Sequence, residues 1–138
     1  MQDDEVAWWV DSGATAHVCR DRTVFKSFVP LHGRVLRMGN ESTALVLGEG
    51  QVKLEFSSGK TLILSNVLFV PRIRKNLVSG TIFNKLGFRQ VYEADKYILC
   101  KGGLFVGRGY LCNGMFKLSI SKVVTSVYMT CAQGSVPS

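Results

Sequence analysis

The sequence has no Cys-x-x-Cys pair, no apolar run of membrane-spanning length, no internal repeat and no Gly-x-Ser-x-Gly elbow. Each absence removes a class of function. The four cysteines, Cys19, Cys100, Cys112 and Cys131, are widely spaced. His17 and Cys19 form one His-x-Cys, but no second pair at ligand spacing completes a zinc site. The expectation is free thiols in a reducing compartment, with no metal, no cofactor and no required disulfide. No stretch approaches the length that crosses a bilayer, so no membrane partner is expected. The opening Met1-Gln2-Asp3-Asp4-Glu5 is acidic, the wrong sign for a secretory leader, and predicts a soluble intracellular protein. Without a serine elbow, a hydrolase using Ser12 or Cys19 with His17 is a poor reading. His17 is expected to be structural.

What is present is one domain's worth of chain. The 138 residues can bury a proper core but not two ordinary ones. The formal net charge is +7, with basic residues at Arg20, Arg22 and Lys26, at Arg34 and Arg37, and at Arg72, Arg74 and Lys75. Such a surplus attracts nucleic acid or acidic partners. These residues are scattered among apolar positions and form no nucleic-acid module signature. A solvated basic surface is the expectation, with nucleic acid a secondary partner.

The apolar pattern is that of short strands. Gln51-Val52-Lys53-Leu54-Glu55-Phe56 alternates as a half-buried strand does, and Val67-Leu68-Phe69-Val70 reads as a buried strand stopped by Pro71. Breaks are expected at Pro30-Leu31-His32-Gly33, Gly48-Glu49-Gly50 and Ser65-Asn66, and turns at Lys101-Gly102-Gly103 and Asn113-Gly114. Strands are expected over 34–38, 43–47, 61–64, 88–92, 97–100, 104–106 and 115–120. Only residues 78–86 look helical, with Asn76 or Ser79 as cap and Gly87 at the C-terminal end. The domain is expected to be all-β, a barrel or sandwich.

The chemistry is expected in the run Trp8-Trp9-Val10-Asp11-Ser12-Gly13-Ala14-Thr15. An apolar strand here ends in a tight loop that holds a carboxylate at the edge of the core. Ser12 bonds locally, Gly13 allows a backbone conformation closed to most residues, and Ala14 leaves room for close packing. Asp-Ser-Gly-Ala after such a strand resembles the active-site motif of aspartic proteases, and its single copy resembles the retropepsins. Trp9-Val10-Asp11-Ser12-Gly13-Ala14-Thr15-Ala16-His17, Val67-Leu68-Phe69-Val70-Pro71, Lys75-Asn76-Leu77-Val78-Ser79, Phe83-Asn84-Lys85-Leu86-Gly87-Phe88 and Gly114-Met115-Phe116-Lys117-Leu118 follow in the order found in Ty1/copia-type retrotransposon proteases. The chain departs from retroviral relatives at Ser79, where they have glycine, and at a flap tip with less glycine.

The resemblance implies a retropepsin-like closed β-barrel with one short helix and a flap hairpin, over 6–120. Residues 1–5 would be a tail, and 121–138 a partly disordered extension leading toward the integrase region. It implies catalysis by Asp11 in a loop of Ser12, Gly13, Ala14 and Thr15, with Leu36, Arg37, Met38, Gly39, Asn40 and Glu41 as the flap and substrate-binding segment. Carboxylate proteolysis needs two acids. Asp3, Asp4, Asp21 and Asp95 lack both the preceding strand and the following Ser-Gly. The second acid must then be Asp11 of another copy, in a two-fold homodimer. The implied substrate is peptide segments of the retrotransposon's own Gag-Pol polyprotein, processed in the cytoplasm or within virus-like particles. A catalytically silent domain of this fold and a basic nucleic-acid-binding β-domain are the alternatives.

Overall fold

The computed structural model describes residues 7–38 and 41–124. Along the chain run β1 (Trp8–Asp11), β2 (Val18–Cys19), one 3-10 turn (Arg22–Val24), β3 (Phe25–Arg37), β4 (Thr43–Phe56), β5 (Thr61–Phe69) and β6 (Asn76–Ser79). Then follow the helix α1 (Gly80–Lys85), β7 (Phe88–Glu93), β8 (Lys96–Lys101), β9 (Leu104–Cys112), β10 (Met115–Leu118) and β11 (Ile120–Val124). All strands join one sheet, ordered β11-β4-β5-β2-β6-β1-β10-β9-β8-β7, with β3 also on β4. Pairing is antiparallel except for β1 with β6 and β2 with β5.

The core is built from the inward positions of both halves of this sheet. Trp8, Val10, Leu54, Phe56, Leu64, Val78, Phe83, Tyr97, Leu99 and Leu118 form the main cluster. Burying each large side chain contributes roughly 1.5–3 kcal/mol. A second cluster joins Val18, Ala44, Val46, Leu68, Val70 and Ile73. The all-β architecture with one short helix is as expected, but the barrel is not closed. The hydrogen-bonded path is open, with β11 at one end and β7 at the other. The edge of β4 that might have met a returning strand is already taken, in series, by β3 and β11. Curvature brings the two halves together by packing instead, with the Phe56 ring pressed onto Gly107, where a Cβ would lie 2.2 Å from it.

Three expected breaks lie inside long strands. β3 runs through Pro30-Leu31-His32-Gly33, with a register irregularity between Pro30 and Arg34 and Gly33 at φ +77. β4 runs through Gly48-Glu49-Gly50. These two glycines mark close approach, since a Cβ would lie 2.1 Å from the Phe28 ring at Gly48 and 1.8 Å from the Ser27 carbonyl oxygen at Gly50. β5 runs through Ser65-Asn66, with Asn66 at φ +57. Bulges absorb what would otherwise end a strand and increase its twist.

The helix is shorter than expected because Asn76-Leu77-Val78-Ser79 forms β6. Ser79 is the N-cap, and Gly87 at φ +88 receives the chain after it, its N–H donating to the Asn84 carbonyl. Lys101 Nζ donates to the last-turn carbonyl of Leu86, where a cation suits the helix dipole. Asn113 and Gly114 both take positive φ, the pair that a tight right-twisted hairpin needs. β9 extends well beyond the expected 104–106, and β11 carries the sheet past residue 120, to Val124. The remainder of the expected extension, the N-terminal tail and Cys131 lie outside the described residues.

Gly50→Ala is expected to cost about 3 kcal/mol, because the new methyl meets backbone that cannot swing away. Gly33→Ala meets open space and pays only the left-handed penalty of about 1 kcal/mol. Urea midpoints of the two variants test this, and the reverse order would refute the bulged-strand account.

Candidate active-site loop

β1 delivers Asp11 to the end of a buried strand. Trp8, Trp9 and Val10 are buried, Asp11 is half-buried, and Ser12 and Gly13 are exposed. The strand is central, flanked by β6 and β10. Its register with β6 sets Trp9 level with Leu77 and Asp11 level with Ser79. Asn76 ties the strands together at the other end, its Nδ2 donating to the Ala7 carbonyl and its Oδ1 accepting from Arg20 N.

The loop after Asp11 is held from two sides. Asp11 Oδ1 accepts from Gly13 N at 2.9 Å, and Ala14 N donates to the Asp11 carbonyl. From the helix side, Ser79 Oγ donates to the Ala14 carbonyl at 2.6 Å and accepts from Ile82 N at 3.1 Å. One hydroxyl thus caps α1 and pins the loop. Thr81 Oγ1 donates to the Ser12 carbonyl at 3.1 Å. Gly80 lies so close that a Cβ there would meet Ser12 Cα at 3.2 Å. The structure therefore brings Asp11, Ser12, Gly13 and Ala14 against Ser79, Gly80 and Thr81. Thr15 is exposed just beyond.

Two expectations for the loop need correction. Among the described residues, Ser12 is held through its carbonyl and not through its hydroxyl. Gly13 does not take a positive φ, and a Cβ there would make only an ordinary 3.6 Å contact with Asp11 Oδ1. Its special backbone freedom is unused within this one chain. Thr81 and Gly80 were not expected at the site at all. The only local sign was the capping serine, since the bond partners are far apart in sequence.

His17 is structural, as expected. It is 1 % exposed, its Nδ1 accepts from Ser79 N at 2.9 Å, and its ring meets Phe83 at 5.5 Å. Burial pushes its pKa down to about 4. Burial likewise pushes the Cys19 thiol up to about 12, which removes it as a nucleophile at neutral pH. Among the described residues, no group of three His, Cys, Asp or Glu side chains could hold a metal ion. No helix there is long and apolar enough to cross a membrane.

The expected flap segment sits on the β3–β4 hairpin, whose Met38 N donates to the Ser42 carbonyl at 2.7 Å. Leu36 pairs with Ala44 and Arg37 with Thr43. Leu36 and Met38 face inward, onto the second apolar cluster with Ala16 and Val18. That places the hairpin's inner face beside the segment that follows the Asp11 loop. Arg37 is exposed, and Glu41 takes φ +70 at the turn. Gly39 and Asn40 lie outside the described residues.

Two outcomes follow. Ser79→Ala removes a cap and a loop bond together, and is expected to cost about 2 kcal/mol in denaturant unfolding. For His17 the folded pKa lies below the unfolded value, so the neutral form is favoured in the fold. The full stability is present above pH 6.5 and falls as the pH drops through about 4, by on the order of 3 kcal/mol. In His17→Gln, urea midpoints measured between pH 7 and 4 are expected to lose that dependence, and an unchanged slope would refute it.

Comparison with known proteins finds similarity to transposon Pol polyproteins. The Pol polyprotein, beta-barrel domain family matches residues 8–88. The retrovirus-related Pol polyprotein from transposon TNT 1-94 of Nicotiana tabacum is 32% identical over 105 residues, covering 76% of this chain and 8% of that protein. The putative transposon Ty5-1 protein of Saccharomyces cerevisiae is 32% identical over 72 residues, covering 52% of this chain and 46% of that protein. The chain thus spans less than half the length of either relative. No solved structure matches it at a significant level. By its matched strands, from Trp8 to Phe88, the chain belongs to the Pol polyprotein beta-barrel domain family.

Proposed function

We propose that the chain is an aspartic endopeptidase that acts as a two-fold homodimer, with Asp11 of each copy facing the other. The observation that carries this is the position of Asp11, at the end of a buried central strand on an exposed loop that a helix start holds rigid. Catalytic groups must be held this firmly to act.

In the dimer the two carboxylates lie too near for both to ionise, so they hold one proton between them. Aspartic proteases are a standard example of this shared titration. The ionised carboxylate takes a proton from water, which attacks the scissile carbonyl carbon. The protonated carboxylate hydrogen-bonds to the carbonyl oxygen and gives up its proton as the gem-diol forms. Collapse of the gem-diol breaks the C–N bond, and the amine leaves with a proton from the dyad. The β3–β4 hairpin closes over an extended peptide and excludes water, and the peptide binds by strand-like backbone bonds. The substrate is peptide segments of the polyprotein that contains this domain, cleaved in the cytoplasm or inside particles.

The test is peptide cleavage across protein concentration at mildly acidic pH, for the chain and for Asp11→Asn. The rate is expected to rise faster than linearly with concentration and to drop by about 10³-fold or more in the variant. Equal cleavage by both proteins would sink the mechanism. If neither cleaves while both sediment as dimers, a catalytically silent domain is the better reading.

A further inference from the structure

Basic residues that are scattered in the sequence meet on one face of the folded sheet. Cross-strand register sets Trp9 of β1 opposite Lys117 of β10, Lys117 opposite Tyr110 of β9, and Tyr110 opposite Lys96 of β8. Residues directly opposite share a face. This is the face turned away from the main cluster, whose members on these strands are Trp8, Val10, Leu118, Tyr97 and Leu99. With strands about 4.8 Å apart, the row spans roughly 14 Å. Arg108 stands two residues from Tyr110 on the same face, and Arg89 of β7 lies opposite Cys100, which in turn faces Phe105.

The cations here are placed and unpaired. Lys75 Nζ lies 4.4 Å and Lys117 Nζ 5.9 Å from the centroid of the Trp9 ring, which fixes two ammonium groups over one indole. Trp9 Nε1 is buried beneath them without a hydrogen-bond partner. Arg108 rests 5.6 Å from the Phe105 centroid. Among the described residues the ion pairs are Arg34 with Glu49 and Lys122 with Glu55, so none of these five cations has a carboxylate partner. Acid enters only at the β7 end, where Glu93 pairs with Lys96 in register and Asp95 sits in the turn.

Beside the row is a pocket of about 230 Å³ lined by Ser57, Ser58, Phe105, Arg108, Tyr110 and Ser119. Ser57 Oγ accepts from Ser119 Oγ and keeps its own proton to donate. A guanidinium with a free hydroxyl donor, between two aromatic rings, suits a phosphate that carries a flat base. Tyr110 is 43% exposed and so presents a face for stacking.

We propose that this face binds single-stranded nucleic acid, with one phosphate seated at Arg108, others along Lys117, Lys96 and Lys75, and a base stacked on Tyr110. Positive groups tracking a backbone, interleaved with exposed rings, are what sequence-tolerant single-strand binding requires. The site is separate from the Asp11 loop and does not depend on the protease reading. An acidic protein segment would be drawn by the same charge but gains nothing from the rings.

The experiment is fluorescence anisotropy of a labelled mixed-sequence RNA 20-mer titrated with the full 138-residue chain at several salt concentrations. With about four phosphate contacts, log K is expected to fall against log salt with a slope near −2.8, about a fiftyfold loss from 50 to 200 mM. Lys117→Glu and Arg108→Glu are each expected to weaken binding about tenfold or more and to flatten the slope by roughly 0.7 or more. Tyr110→Ala is expected to weaken binding while leaving the slope unchanged. Lys85→Glu, on α1, makes the same change in net charge at another place and is expected to have little effect. Three outcomes would overturn the proposal: no salt-dependent binding, an equal loss in Lys85→Glu and Lys117→Glu, or equal competition by poly-glutamate of matched charge.

Discussion

The parallel pairing of β1 with β6 is the constraint from which the rest of the site follows. It sets Asp11 level with Ser79, the residue where β6 turns into α1. The Ser79 side chain then serves the helix and the loop, while its backbone N–H is satisfied by His17. Loop, strand, helix and histidine are thereby coupled through one residue. Loosening any of them unpairs a buried polar group, which is costly because no water replaces the lost bond.

Part of this was legible in the chain. An apolar run closed by Asp-Ser-Gly marked the strand and its loop, and Gly87 and Ser79 marked the ends of the helix. The long strands were not legible, because Gly48, Gly50, Pro30 and Asn66 read locally as punctuation. Gly48 and Gly50 in fact answer to Phe28 and Ser27 of the neighbouring strand, which no local pattern reveals. The expectation of a closed barrel failed for a related reason. Closure depends on which strand takes the last free edge, and β3 and β11 share one edge of β4. The basic face was hidden too, since Lys96, Tyr110 and Lys117 come level only through cross-strand register, and Lys75 joins them over the Trp9 ring.

The loop's support is sensitive to pH. The buried imidazole of His17 must stay neutral to accept from Ser79 N, so acid that protonates it unpairs that N–H and loosens the loop.

The central strand also has a history in time. β1 is made early, yet one of its two hydrogen-bonding neighbours, β10, comes from near the far end of the described chain. During synthesis the aspartate segment emerges without that neighbour, and Trp8 and Val10 still lack Leu118 of their cluster. Pairings between such distant segments form late and slowly. A chain still on the ribosome thus carries a carboxylate whose scaffold is incomplete. The topology itself delays completion of that scaffold until translation has passed β10.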